Sequence, residues 1–298
     1  MVRGAMDSPR PPNRLARFAP PLFVLIWATG FVVSRLVAPY ADPLHFLVLR
    51  YALAVLVLGL AALLVRARWP STLGGWRDGL VAGILLHGGY LGGVFWAVKH
   101  GLPAGIAALV AGLQPLVTGA LVGPLLGEKV SARRWLGIAV GFSGALLVIA
   151  PKFGQIGGFP FSALAVCFGA VVSITLGTIW QKRTAGSVDL RTNTPIQYLG
   201  AAAATLPVAL LTEAGQLDPT PEFLFGLAWA VGGLSIGAVG LLLMLIRRGA
   251  VAGVAALLYL VPPGSALMAY FLFGETLTPV QMAGMALAAI GVAIASRD

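Results

Sequence analysis

The stretch that decides the fold occurs twice. Residues 101–150 read GLPAGIAALVAGLQPLVTGALVGPLLGEKVSARRWLGIAVGFSGALLVIA, and residues 249–296 read GAVAGVAALLYLVPPGSALMAYFLFGETLTPVQMAGMALAAIGVAIAS. Glycines, prolines and a Gly-Glu turn recur at a spacing of 147 or 148 residues, as in Gly127-Glu128 and Gly274-Glu275. Two tandem copies of one apolar module are typical of membrane transporters, whose substrate site lies between the copies.

The composition is that of a membrane protein. Of 298 residues, 58% are hydrophobic and only 10% are charged, with a mean hydropathy of +0.91, whereas a soluble domain carries about 25% charged residues. The apolar runs are about 20 residues long, which favours a bundle of helices over a β-barrel. The net charge of +10 does not indicate nucleic-acid binding, because no basic stripe with interleaved aromatic residues is present.

Apolar runs between proline, glycine and charged punctuation predict an all-α polytopic membrane protein with ten transmembrane helices. We expect residues 1–18 to form a disordered basic cytoplasmic tail, residues 19–150 to form a first five-helix repeat, and residues 151–298 to form a second. The predicted spans are 19–38, 44–65, 74–98, 104–122, 132–150, 160–180, 193–212, 223–246, 250–270 and 278–296.

Lysine and arginine in the loops predict the orientation. With the N-terminus inside, sixteen basic residues lie on the cytoplasmic side and only Lys99 and Lys152 lie outside, so both termini are predicted to be cytoplasmic. Five is an odd number of spans, so two tandem copies must be inverted relative to each other. Corresponding loops should then carry opposite charge, and among them only Lys99 breaks this pattern.

Further residues of the first two spans and of the module ends carry a family resemblance. They are Trp27, Ser34-Arg35, Pro39, Pro43, Leu49-Arg50, the Gly-Glu-Lys turn at 127–129 and the Gly-Glu-Thr turn at 274–276. With ten spans, this set resembles the drug/metabolite transporter superfamily, in particular its EamA-type ten-helix exporters, over residues 19–296. The aromatic-rich third span is similar to that of the aromatic and neutral amino-acid exporters.

The resemblance implies export across a bacterial inner membrane. The expected substrates are small neutral or amphipathic metabolites, above all amino acids including aromatic ones, moved by alternating access. The expected partners are this small molecule and the lipid bilayer, without nucleic acid. We expect neither a cofactor nor a metal.

His87 is the most informative polar residue within a span, because ionisable groups at membrane depth line cavities or pair with neighbours. Tyr90 lies three residues on, so it shares a face of the third span with His87. The glycines at 88–89 and 92–93 remove side chains nearby. The alternative interpretation is a buried histidine bonded to a backbone carbonyl, with glycines that serve only helix packing.

Other candidates complete the predicted site. Arg50 and Arg35 lie toward the outer ends of their spans and are predicted gate residues, or else they snorkel to the interface. Pro115, Pro262 and Pro263 predict kinks at matching places in the two halves, which is a pointer to a binding site. The remaining predicted substrate-binding residues, alternatively interface anchors or structural hydrogen-bonding groups, are Trp27, Trp96, Trp180, Gln114, Gln197 and Tyr259.

Alternative functions depend on features of the spans. No Asp or Glu falls in the middle of any predicted span, which disfavours a multidrug pump for cations. A transporter of organic anions or phosphorylated sugars would need several basic residues at depth, where only Arg35 and Arg50 are available. Proton coupling, if it exists, would have to use His87 or a less obvious group.

Two serine motifs raise a remote enzymatic alternative, an intramembrane serine protease. They are Gly233-Leu-Ser-Ile-Gly237 and Gly141-Phe-Ser-Gly144. Both lie inside apolar helical runs, and all three histidines precede the second motif, so the chain is not expected to be an enzyme. Small-residue stripes in the fifth and tenth spans predict close helix packing within the chain or, alternatively, a homodimer.

Overall fold

The computed structural model describes residues 14–102, 107, 110–150, 159–184, 188–248, 251–274 and 277–295. These residues form helices joined by short turns. The helices are α1 Arg14–Val37, α2 Pro43–Leu64, α3 Leu73–Lys99, α4 Gln114–Leu126, α5 Ala132–Ile149, α6 Phe161–Thr184, α7 Leu190–Thr212, α8 (Pro221–Trp229, Ala230–Ala238 and Val239–Arg248), α9 (Val251–Ala256, Leu257–Leu260 and Val261–Phe273) and α10 Pro279–Ala295.

Six of the described helices are long and apolar enough to cross a membrane. They lie in α2, α3, α6, α7, α8 and α9, and shorter apolar helices cover Phe18–Ser34, Gln114–Leu126 and Pro279–Ala295. The chain is therefore an all-helical polytopic membrane protein. The first predicted span starts earlier than expected, since α1 begins at Arg14. The segment Arg14–Phe18, predicted to belong to the disordered tail, is helical because Leu, Ala and Arg favour helix. Residues 1–13, and most of 103–109 in the predicted fourth span, lie outside the described residues.

Local chemistry sets several helix ends. The side chains of Thr72, Ser131 and Thr220 each accept a hydrogen bond from a main-chain N–H in the first turn of α3, α5 and α8, which satisfies a donor that the helix leaves free. Gly127 and Gly274 follow α4 and α9 with φ of 70° and 65°. Only glycine adopts this left-handed backbone without strain, so the equivalent helices of the two halves end in the same way.

Two pairs of equivalent helices share irregular segments. A π-helical segment, Ile84–Gly92, interrupts α3, and a second, Ala230–Ala238, interrupts α8 about 147 residues later. A turn at 112–113 precedes Gln114-Pro115 at the start of α4, and a 3₁₀ segment, Leu257–Leu260, precedes Val261-Pro262 in α9. Proline removes the donor that would continue the preceding turn, and π-helical segments are frequent at functional sites.

Helices α5 and α10 cross in antiparallel directions through glycines. A Cβ atom on Gly137 would lie 2.7 Å from the carbonyl oxygen of Gly291, and one on Gly144 would lie 2.7 Å from that of Gly284. Gly284 and Gly291 are the equivalents of Gly137 and Gly144 in the second half, so the contact exchanges equivalent residues about a local twofold axis. These small residues are occupied within one chain. A homodimer remains an untested prediction and would have to use other residues of these helices.

Candidate functional site

A cavity of about 110 Å³ opens where the halves meet. Four helices, α1, α2, α3 and α8, supply its walls, which are mostly aromatic and aliphatic with two strongly polar side chains, Arg50 and His87. The other lining residues are Trp27, Gly30, Val33, Ser34, Phe46, Tyr90, Leu91, Val94, Phe95, Ala230, Leu234 and Val239. The site therefore combines an apolar wall with a few fixed polar groups, as small-molecule sites do.

Two equivalent tyrosines pack against His87, one of the polar residues of the cavity wall. Tyr51 of α2 stacks on Tyr198 of α7, with ring centroids 5.8 Å apart, and the two lie 147 residues apart in the chain. The Tyr51 hydroxyl donates to the carbonyl oxygen of His87 at 3.1 Å, and the Tyr198 hydroxyl donates to that of Ser235 at 3.0 Å. Both acceptors lie in the π-helical segments, so the same hydrogen bond is made twice.

Arg50 is buried, with 7% of its surface exposed. Its Nε donates to the Ser235 hydroxyl oxygen at 2.8 Å. Within the described ranges no carboxylate lies at ion-pair distance from Arg50. The Arg50 side chain also lines the cavity. A buried guanidinium without an acidic partner is costly unless another anion pairs with it. The first cavity therefore carries a positive charge that no described carboxylate neutralises.

His87 is 2% exposed, and its Nε2 has no hydrogen-bond partner. The imidazole stacks on Tyr198 with centroids 4.7 Å apart and planes inclined by 18°. The side chain of Gln197 interacts with His87 from α7. Gln197 is the repeat equivalent of Arg50, so each half places one polar side chain against the π-helical segment of the other.

A second cavity, of about 50 Å³, adjoins the first. Trp27 and Tyr90 line both cavities, and the interrupted parts of α4 and α9 close the second one. Gln114 and Tyr259 line it with 2% and 1% exposure. Their Oε1 and Oη atoms have no partner. Its other lining residues are Ala111, Gly112, Pro115, Ala145, Ile174, Leu258, Val261 and Pro262.

Comparisons with known proteins assign the family. The model of the EamA-like transporter family matches residues 21–150 and again residues 161–297. The chain belongs to the EamA-like transporter family. It is a multi-pass inner membrane protein, and the comparisons support a non-enzymatic role as a membrane exporter, in line with the sequence-based expectation for the superfamily.

Relatives of this EamA transporter carry transporter names. The "Uncharacterized inner membrane transporter YedA" of Escherichia coli is 29% identical over 259 residues, which is 86% of this chain and 82% of that protein. The "Probable amino-acid metabolite efflux pump" of Salmonella typhimurium is 29% identical over 289 residues, 92% of each chain. The "Probable terminal-alkyne amino-acid exporter" of Streptantibioticus cattleyicolor is 30% identical over 220 residues, 68% and 67% of the two chains.

The fold has a counterpart of known structure. A crystal structure matches the EamA transporter with a TM-score of 0.80 at 22% identity, covering 96% of this chain and 97% of the other. At this identity the match shows the shared fold alone.

Three of the remaining predicted residues, Trp96, Trp180 and Gln197, line neither cavity. Trp96 lines a groove between α3, α6 and α7, and the Trp180 indole donates to the main-chain oxygen of Asp78 at 3.2 Å. The amide of Gln197 donates to Gln181 Oε1 at 2.7 Å, within a buried polar network between α6 and α7. The side chain of Arg35 lies outside the described residues, so its predicted gate role is not tested.

The glycines beside His87 have a definite packing role. A Cβ on Gly93 would lie 2.9 Å from Ala170 Cβ of α6, and one on Gly88 would lie 3.4 Å from Ala204 Cβ of α7. A Cβ on Gly89 would lie closer still to its neighbour, the hydroxyl oxygen of Ser173 on α6. The glycines therefore allow α3 to pack between two neighbouring helices, while His87 and Tyr90 face the cavity.

A polar cluster ties three segments at the end of the bundle where α2 begins. This Lys99 cluster comprises Asp42, His45, Lys99 and Glu213. Lys99 Nζ lies 2.7 Å from Asp42 and 3.5 Å from Glu213, and His45 Nδ1 lies 2.9 Å from Glu213. Lys99, which broke the charge pattern of the repeats, thus neutralises two acids supplied by other loops.

The same cluster contains residue types that bind metals. Oxygen and nitrogen atoms of Asp42, His45 and Glu213 lie within 4.8 Å of one another. However, main-chain N–H groups at the start of α2 and Lys99 already donate to these carboxylates, so they form a structural junction. Burial alone would raise the pKa of Asp42, but hydrogen bonds from Lys99 and from two main-chain N–H groups outweigh it and lower the pKa below 3.8.

Sequence reasoning passed over two residues of the site. Tyr51 was not singled out, and Ser235 was considered only as part of a serine motif. The signal lay in the repeat: Arg50-Tyr51 of the first half aligns with Gln197-Tyr198 of the second, and polar pairs that recur at one depth of two inverted modules meet at their interface.

Proposed function

We propose that this transporter exports amino acids, aromatic ones included, by alternating access through the cavity between its halves. The observation that carries the proposal is Arg50. A buried guanidinium that lines the cavity without an acidic partner among the described residues is complementary to the carboxylate of an amino acid, which it can bind through two parallel hydrogen bonds.

The other walls suit the rest of such a substrate. The unpartnered Nε2 of His87 offers one further polar contact. Trp27, Tyr90 and Phe95 provide apolar and aromatic surface for a side chain. The names of two relatives, an amino-acid metabolite efflux pump and a terminal-alkyne amino-acid exporter, support this substrate class.

The proposed membrane arrangement is ten spans in two inverted five-helix repeats, with both termini in the cytoplasm. Sixteen basic residues against two across the predicted loops support it. The antiparallel crossing of α5 with its equivalent α10 also supports it, because inversion reverses the direction of every equivalent helix. Single cysteines at positions 129 and 276 should then be labelled from opposite sides of the membrane, and labelling from the same side would contradict the arrangement.

The function is tested by counterflow in proteoliposomes with a panel of radiolabelled amino acids. We expect wild-type protein to exchange at least one aromatic or neutral amino acid, and Arg50→Gln to raise its half-saturating concentration about tenfold or more. His87→Ala and Tyr90→Phe should each reduce transport less severely. If no amino acid moves, the substrate class is wrong; if all three variants match wild type, the site is wrong.

A second substrate class is also compatible with a buried arginine in the cavity wall. Organic anions would also pair with Arg50, although Arg50 is the one arginine or lysine among the described residues that line the first cavity. Carboxylic acids without an amino group belong in the same counterflow panel. Preference for them over the corresponding amino acids would favour an organic-anion transporter.

A further inference from the structure

The second cavity is rich in hydrogen-bond acceptors that have no partner. Gln114 Oε1 is an acceptor only, and Tyr259 Oη can accept or donate; both side chains are at least nine-tenths buried and line this cavity. The Gln114 amide nitrogen, in contrast, already donates to the Thr118 hydroxyl at 3.4 Å. The atoms left for a ligand are therefore mainly oxygens.

Proline adds main-chain oxygens to the same wall. The carbonyl of Tyr259 would accept from residue 262 in a 3₁₀-helix and from residue 263 in an α-helix, and both positions are prolines without an N–H. Pro115 likewise cannot donate to the carbonyl of Ala111. Ala111 and Tyr259 both line the second cavity. In both halves, proline thus deprives a main-chain oxygen beside the second cavity of its usual α-helical donor.

The two cavities are therefore complementary in polarity. Arg50 marks the first one as a site for a negative group, and the acceptors of Gln114 and Tyr259 mark the second as a site for an N–H-rich, positive group. Trp27 and Tyr90 line both, so the two cavities are neighbours. An α-amino acid carries a negative and a positive group on one carbon, and these two groups match the opposite polarities of the neighbouring cavities.

Resting on the proposed function, we propose that the α4–α9 cavity is the ammonium subsite of the transporter. Gln114 Oε1, the Tyr259 hydroxyl and the freed carbonyl of Tyr259 accept hydrogen bonds from the substrate's primary ammonium group, while Arg50 holds the carboxylate. The substrate class is thereby narrowed to zwitterions with a free primary amine.

The experiment compares an amino acid with its deaminated analogue as competitors of counterflow. For phenylalanine the analogue is 3-phenylpropanoate, and for leucine it is 4-methylpentanoate. In Gln114→Leu and Tyr259→Phe proteins, the half-inhibiting concentration of the amino acid should rise about tenfold, while that of the analogue stays within twofold of wild type. Arg50→Gln should weaken both competitors, because both carry the carboxylate.

Matched variants separate the proposed role from general damage. Tyr270→Phe removes the hydroxyl of a half-exposed tyrosine on the same helix and should change the half-inhibiting concentration of neither competitor. Gln114→Glu keeps an acceptor at the same place and should retain amino-acid inhibition. An unchanged response to the analogue shows that a variant is folded.

Three results would overturn the inference. The first is an equal loss of affinity for amino acid and analogue in the Gln114 and Tyr259 variants. The second is no loss for either. The third is counterflow that requires sodium in a manner abolished by these variants, which would assign the oxygens to a bound Na⁺ ion. In each case wild-type amino-acid counterflow persists, so the result is distinct from failure of the proposed function.

Discussion

Replacing Gly144 by alanine tests the contact that joins the two halves. Gly144 of α5 faces the backbone of α10, where a Cβ would lie 2.7 Å from the Gly284 oxygen and 2.8 Å from Ala288 Cα. The amide nitrogen of Ala288 is closer still. These are backbone atoms of a rigid helix and cannot rotate away. The helices would have to separate by about 1 Å to reach ordinary van der Waals distance.

The expected cost follows from overpacking at a tight interface. Forced insertion of a methyl group costs about 1–3 kcal/mol. Replacing glycine within a helix offsets about 0.5–1 kcal/mol of this cost. At about 2–4 °C per kcal/mol, the apparent melting temperature should fall by several degrees and by at most about 10 °C.

Cys167 provides the assay. It is the only cysteine of the chain and is fully buried, so thermal unfolding in detergent can be followed by its reaction with a fluorogenic maleimide. Gly59→Ala is the matched control, because a Cβ at Gly59 of α2 meets nothing within 4 Å and should leave the melting temperature equal or higher. A Gly144→Ala protein as stable as Gly59→Ala would refute the proposed interface.

Three further predictions concern the Lys99 cluster and the site. Glu213→Gln should lower the free energy of unfolding by about 1–3 kcal/mol, because its fully buried carboxylate accepts from main-chain N–H groups at the start of α2; the exposed Glu222→Gln serves as control in the same thermal assay. The stability contributed by Asp42 should be complete above its ordinary pKa of 3.8 and be lost as the pH falls through the lowered value. Melting profiles between about pH 2 and pH 5 should therefore be flatter for Asp42→Asn than for wild type. Ser235→Ala removes the acceptor that orients the buried guanidinium and should weaken amino-acid counterflow several-fold; unchanged half-saturation would argue against a positioning role.

The helical fold could be predicted from the sequence because the lipid bilayer strongly restricts which structures can span it. Every span must hide its backbone and present about 20 apolar residues, so hydropathy alone predicted the long helices such as α2 and α7. The start of α1 was missed, since its first residues are amphipathic and hydropathy does not register helix that extends into the interface. The π-helical segment at Ile84–Gly92 was also invisible, because it depends on packing against neighbouring helices.

The candidate site was only partly accessible for a related reason. Helical periodicity placed His87 and Tyr90 on one face, and the structure brings them together with Trp27 and Arg50 around one cavity. Whether a substrate binds there stays a prediction. Trp180 could not be placed from sequence, because its partner is a main-chain oxygen about 100 residues away. Periodicity specifies a face of a helix, but it does not specify which element covers that face.

Equilibrium binding to the purified transporter tests the central claim most directly. Radiolabelled phenylalanine, or the amino acid that the counterflow panel identifies, is titrated onto wild type, Arg50→Gln and, as control, Arg68→Gln at an exposed position. The account predicts saturable binding to wild type and to Arg68→Gln with equal affinity. The dissociation constant of Arg50→Gln should be higher by about tenfold or more. Equal affinity of all three proteins would contradict the assignment of Arg50 to the substrate carboxylate.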